Sequence, residues 1–194
     1  MKKIIQIYSW LLFSLSVPVF AQSPTVDITT FPYNHVNGIY YKDIQGLLNK
    51  YVGTWECEYE ENGINKKFVL TLTKIEEFYM GVSGPTFYTD GLVYQYDIYH
   101  NNNLIYNSPT SPFPQAGIRP NDKTAMIFVD YLRRGIIFDV EIQYAPVIQQ
   151  GGGGQERLYF DRATASQTLN RYHRDNPTES YSSMPTNIFL TRVD

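Results

Sequence analysis

From Gly53 onward the chain alternates between apolar and charged side chains. Trp55, Cys57 and Tyr59 share one parity, and Glu56, Glu58 and Glu60 share the other. Side chains alternate across a strand, so this run predicts a half-buried strand with a charged outer face. Asn62-Gly63 follows, a dipeptide suited to a two-residue hairpin turn. The returning arm places Phe68, Leu70 and Leu72 opposite Lys67, Thr71 and Thr73. The same period recurs in "LVYQYDIY", where Leu92, Tyr94, Tyr96 and Ile98 alternate with Val93, Gln95, Asp97 and Tyr99. A short run "NLIY" comes after the turn Asn101-Asn102-Asn103. "TAMIFVDY" and "GIIFDVEIQY" flank Arg133-Arg134-Gly135 and predict another hairpin, with Ile136, Phe138, Val140, Ile142 and Tyr144 inward. "ERLYFD", a weaker "QTLNRY" and "NIFLTRV" complete the set.

One segment has the other period. In "YKDIQGLLNKY" Ile44, Leu47, Leu48 and Tyr51 fall at i, i+3, i+4 and i+7, which predicts a short amphipathic helix ending near Gly53. Asp43 is its candidate N-cap. Residues 22–40, with Pro24, Pro32, Asn34, Asn37 and Gly38, read as an irregular leader. The Pro-rich stretch 108–120 reads as a crossing loop. About eight to ten short strands with regular turn signals and one helix predict an all-β barrel or sandwich.

The first 21 residues change the picture of where the chain acts. A positive start at Lys2-Lys3, a short apolar run and the closing Val19-Phe20-Ala21 form the pattern of a cleavable secretory signal. Residue 22 is Gln, so the lipoprotein cysteine is missing. The expected product is exported, periplasmic or extracellular, and soluble. The chain carries 16 basic and 19 acidic residues, and loss of Lys2 and Lys3 makes the remainder more acidic still. Such a charge has no footprint for nucleic acid or an anionic membrane. No later segment is apolar enough to span a bilayer. Cys57 is the one cysteine, so no intrachain disulfide holds the fold. The 17 tyrosines and 11 phenylalanines suit both strands and aromatic-lined pockets.

Gly53-Thr54-Trp55, on the first strand after a short helical segment, resembles the Gly-x-Trp signature of lipocalins. The resemblance implies an antiparallel lipocalin-like β-barrel whose floor Trp55 closes, with Gly53 at the start of the strand. It also implies an arginine across the indole, for which Arg192 in "IFLTRVD" is the positional match. Inward parity from Trp55 makes Cys57 a small apolar filler of the inner wall. The lipocalin Thr-Asp-x-x-Tyr motif has only a mid-chain echo, since Thr89-Asp90 precedes Tyr94 with one residue too many, and it is read as chance. The layout of signal, "YYKDIQGLLNKYVGTWE" and a β-rich remainder is also similar to an uncharacterised family of secreted, lipocalin-like bacterial proteins. The expected organisation is a signal peptide at 1–21, the leader at 22–40 and a lipocalin-like barrel at 41–194.

Candidate chemistry is sparse. His35, His100 and His173 match no zinc spacing. Gly81-Val82-Ser83-Gly84-Pro85 lacks the last glycine of a nucleophile elbow. Gly151 to Gly154 is followed by no Lys-Ser/Thr, so it reads as a hairpin loop and not a phosphate cradle. The mixed basic and aromatic run at 171–175 reads as an exposed strand end, and Asp139 and Glu141 as solvated surface. No constellation points to an enzyme, a metal or a cofactor. A closed antiparallel barrel can hold one small hydrophobic or aromatic ligand, with Phe68, Tyr94, Tyr96, Phe138 and Phe160 as candidate lining, each of them equally readable as ordinary core. The alternative is an interaction module of the cell envelope or exterior, binding a protein or glycan through its loops with no internal ligand.

Overall fold

The computed structural model describes residues 23–30, 36–81, 84–112, 117–119, 123–130, 136–148, 154–162 and 184–193. The signal segment 1–21, Gln22, His35, Val82, Ser83, Arg133-Arg134-Gly135, Gly151 to Gly153 and the runs at 167–172 and 171–175 lie outside the described residues. Strands dominate the rest. They are β1 (Thr25–Asp27), β2 (Tyr40–Lys42), β3 (Gly53–Glu61), β4 (Ile64–Met80) and β5 (Phe87–His100). Then come β6 (Asn103–Asn107), β7 (Gly117–Arg119), β8 (Lys123–Asp130) and β9 (Ile136–Tyr144). The last are β10 (Val147–Ile148), β11 (Gly154–Gln155), β12 (Arg157–Arg162) and β13 (Ile188–Arg192).

All but β10 and β11 join one sheet in the order β1-β2-β5-β4-β3-β13-β12-β9-β8-β7, with β6 also on β5. The sheet curls into a half-barrel. Asn62 (φ 55°) and Gly63 (φ 73°) make the β3–β4 turn, both left-handed, as the dipeptide predicts. Asn101 (φ 48°) and Asn102 (φ 63°) do the same between β5 and β6. The meander that begins with β3 returns to it, because β13 pairs antiparallel with β3 at Trp55↔Arg192 and Glu56↔Thr191. Among the described residues the bonded order ends at β1 and β7. Past β6, Ser108 and Ser111 cover the β5 edge. Their amides donate to the Tyr96 and Tyr94 carbonyls at 2.8 Å, and their hydroxyls accept from the Tyr96 and Tyr94 amides at 2.8 and 3.0 Å. An edge that would otherwise template another chain is closed this way.

Three expectations change. The predicted helix is a set of turns with one 3-10 turn at Asn49–Tyr51. Gly46 adopts φ +68°, which ends any helical run there. The Asp43 carboxylate takes the Leu47 amide at 2.7 Å and the Leu48 amide at 3.0 Å, so a side chain accepts where helical carbonyls would. Leu48 and Tyr51 are buried, but Ile44 is 60% exposed. Next, the leader is not wholly irregular. β1 pairs parallel with β2, and β2 pairs parallel with β5, so this edge departs from the antiparallel expectation. Such three-residue strands are too short to carry a period. Finally, the Pro-rich stretch contributes β7, paired with β8.

Candidate functional site

The inward parity of β3, β4, β5, β8, β9, β12 and β13 brings Trp55, Phe68, Leu70, Tyr94, Tyr96, Phe128, Ile142, Phe160 and Leu190 into one buried cluster. Four of the five sequence-selected lining residues meet there. Phe68 lies 5.9 Å from Tyr96 and 5.5 Å from Phe160, ring centre to ring centre. Phe128 stands edge-on to Phe160 at 5.6 Å and stacks on Tyr94 at 3.9 Å. These are contact distances for aromatic pairs. The phenols of β5 reach across to β8. Tyr94 Oη accepts from the Val129 amide at 2.8 Å, and Tyr96 Oη donates to the Val129 carbonyl at 3.2 Å. Phe138 is the register partner of Phe128, and its side chain lies outside the described residues.

One end of this interior is the Trp55 floor. Trp55 is fully buried and its Nε1 donates to the Tyr51 carbonyl at 2.8 Å. Arg192 lies over the indole, its guanidinium carbon 4.6 Å from the ring centre. Its Nη2 donates to the Lys50 carbonyl at 3.0 Å, and its Nε is 2.6 Å from Glu156 Oε2, an ion pair without hydrogen-bond direction. Tyr144 stands edge-on to Trp55 and donates to Glu156 at 2.5 Å. That bond, followed by burial, raises the Tyr144 phenol above its usual range. Cys57, one step inward, packs half-buried against the same core. Burial pushes its thiol up to about 12 against the opposing Phe68 backbone bond, with Glu56 and Glu58 adding to the rise.

The other end is polar. A cleft of about 490 Å³ is lined by Glu58, Tyr59, Glu60, Asn65, Lys66, Lys67, Asn101 and Asn102. None of the sequence-selected lining residues borders it. Two left-handed turns frame it, and they are stitched together. The Asn101 amide donates to the Asn65 carbonyl at 2.7 Å, while Asn101 Oδ1 accepts from the Asn65 amide at 3.2 Å. Both lysines are neutralised, Lys66 by Glu61 and Lys67 by Glu56. Glu56 first, by its hydrogen bond, holds the Lys67 ammonium above its ordinary range. Burial pushes the Tyr59 phenol up to about 12, so it stays a neutral donor at physiological pH. The sequence signal for this cleft was two hairpin turns in register, which marked turns but no ligand.

A third polar cluster sits where β4 slips register against β5 between Ile75 and Phe78. Asp90 is fully buried there. Its carboxylate accepts from Tyr40 Oη at 2.5 Å, the Asp43 amide at 2.9 Å and the Glu77 amide at 3.0 Å. Burial, then the Asp90 bond and charge, raises the Tyr40 phenol well above its usual range. Lys74 Nζ lies 3.1 Å from the buried Asp43 carboxylate. Burial alone would lower that ammonium, but the Asp43 bond and charge outweigh it and hold it high. Every contact ties the β2 segment to the bulge, so this is an internal brace. The Thr89-Asp90 pair that resembled a stray motif is therefore a structural carboxylate. Among the described residues no group of three or more His, Cys, Asp or Glu side chains is placed to hold a metal ion. Among them too, no helix is long and apolar enough to cross a membrane.

A family model matches residues 1–131 of the chain. The chain belongs to the DUF6705 family. It is described as a family of unknown function, so membership assigns no activity. The matched stretch contains every residue of the polar cleft and of the Asp90 brace, together with Trp55. Arg192, Glu156 and Phe160 fall beyond it. No curated protein matches the chain, and no solved structure does.

Proposed function

We propose that this DUF6705 protein is an exported interaction module that engages its partner through the polar cleft at the hairpin end, on a lipocalin-like scaffold. The observation that carries this reading is the contrast in occupancy. Phe68, Tyr94, Phe128 and Phe160 fill the interior with their own rings, while the polar cleft offers about 490 Å³ at the surface. That volume lies in the ordinary range of ligand pockets. Export rests on the signal-like first 21 residues. N-terminal sequencing of exported material should begin at Gln22, and retention of residues 1–21 would contradict export. The binding half is tested by titrating a fluorescent long-chain fatty acid into the exported protein. Trp55 is the one tryptophan beyond residue 21 and reports the interior. No saturable uptake and no change in its emission are expected.

A second reading, a small hydrophobic ligand inside the sheet, is favoured by one feature. The meander's first strand, β3, bonds its last, β13, as a closed barrel requires. That ligand would have to part the Tyr94–Phe128 stack and break both phenol bonds to Val129. Saturable uptake with altered Trp55 emission would put this reading first.

A further inference from the structure

We infer that the polar cleft is a saccharide site, taking a short neutral or amine-bearing oligosaccharide. This inference rests on the interaction-module reading and names the chemistry of its ligand. The cleft has the volume of a small-ligand pocket but not the apolar lining that lipids or aromatic metabolites need. Its lining is amide, carboxylate, phenol and paired ammonium.

The charges narrow the class. Lys66 and Lys67 are each held by an acid, Glu61 and Glu56. Among the described lining residues no cation is left without an acid partner to recognise a phosphate or sulfate. Glu58 and Glu60, by contrast, are exposed on the outer parity of β3, on the same face as Asn65 and Lys67. An ionised carboxylate only accepts hydrogen bonds. These two therefore call for a ligand rich in hydroxyl or amine donors, and they disfavour an anion.

The amides complete the match. The Asn65 and Asn102 side chains offer both donors and acceptors, as vicinal sugar hydroxyls do. The Tyr59 hydroxyl has no hydrogen-bond partner among the described residues and borders the cleft as a donor, while its half-buried ring packs back against the core and holds that wall in place. The walls are preorganised. Both turns hold left-handed φ at Asn62, Gly63, Asn101 and Asn102, and the two hydrogen bonds between Asn65 and Asn101 lock them together. A preformed polar site loses little ordering entropy on binding.

The test is a two-dimensional amide NMR titration of the exported chain with cellobiose, lactose and diacetylchitobiose. Concentrations should reach about 50 mM, because a few hydrogen bonds at an open cleft place Kd near the millimolar range. Saturable shifts are expected at the side-chain amides of Asn65 and Asn102 and at the backbone of 58–60. Glu60→Ala and Asn102→Ala should each weaken binding about 3- to 10-fold, the loss of one hydrogen bond, with unchanged unfolding midpoints. A phosphorylated disaccharide should bind no tighter than its neutral parent. Shifts confined elsewhere, tighter binding of the phosphorylated sugar, or no shift with any of the three sugars would overturn the saccharide assignment. If a protein partner then binds and Glu60→Ala weakens it, the interaction-module reading stands without the saccharide. If the fatty acid binds inside instead, that broader reading fails as well.

Discussion

Trp55 and Tyr59 sit on the same parity of one strand, about 13 Å apart, the first at the centre of the core and the second at its margin. At Trp55 the indole is dry, its N–H is committed to Tyr51, and Arg192 covers its face. At Tyr59 the ring is only half-buried against the margin of that core, its register partner is Lys66 rather than an apolar residue, and a polar cleft opens alongside. What differs is the neighbour across the ladder. Trp55 faces Leu70 on one side and Arg192 on the other. β13 ends its bonding to β3 at Glu56, so the strand beyond has a partner on one edge alone among the described residues. Closure at one end makes stability. Divergence at the other end opens the polar cleft.

The strongest way to break this contrast is Trp55→Ala. It should cost about 3 to 5 kcal/mol, as large core truncations do, and lower the denaturant midpoint at unchanged slope. An unchanged midpoint would mean the floor is not a core. Arg192→Ala should cost less, about 0.5 to 2 kcal/mol for the lost cation–π contact, with Arg192→Lys recovering only part of it because the planar fork also serves Lys50 and Glu156. Equal stability of the alanine and wild-type proteins would remove the arginine from the floor.

Between the two ends, Cys57 sharpens the gradient through chemistry. Its raised pKa means that the native thiol is neutral at pH 8 and reacts slowly with a polar thiol reagent. Unfolded protein should label fast. The same shift gives pH dependence with a definite sign. A folded pKa near 12 contributes stability that is fully present below the unfolded thiol's value, about 8.5, and is lost as pH climbs toward the folded one. Chemical denaturation at a series of alkaline pH values measures it, and Cys57→Ala should flatten the decline. Native labelling as fast as unfolded would place the thiol in water. The smallest effect belongs to the open end. Glu60→Ala should change stability by less than about 0.5 kcal/mol, as exposed substitutions do, and a larger loss would show that the cleft wall also carries the fold.

Much of the architecture was written in local pattern. Period two over Trp55 to Glu60 and over Leu92 to Ile98, with Asn62-Gly63 and Asn101-Asn102 between arms, suffices for strands and hairpins, because alternation and left-handed turn residues act over a few residues. The helix was misread for the converse reason. Ile44, Leu47, Leu48 and Tyr51 have the right spacing, but Asp43 and Gly46 redirect the backbone through contacts that a periodicity does not contain. Parity also marked Phe68, Tyr94, Tyr96 and Phe160 as inward without saying whether they enclose space or fill it. That depends on the distance between walls, which the crossing from β5 to Val129 on β8 helps to set. The cleft and the Asp90 brace belong to the same class. Their residues lie tens of positions apart, as Glu58 does from Asn102 and Tyr40 from Asp90. Each looks ordinary alone, and the chemistry exists only once the register of β3, β4 and β5 sets them side by side.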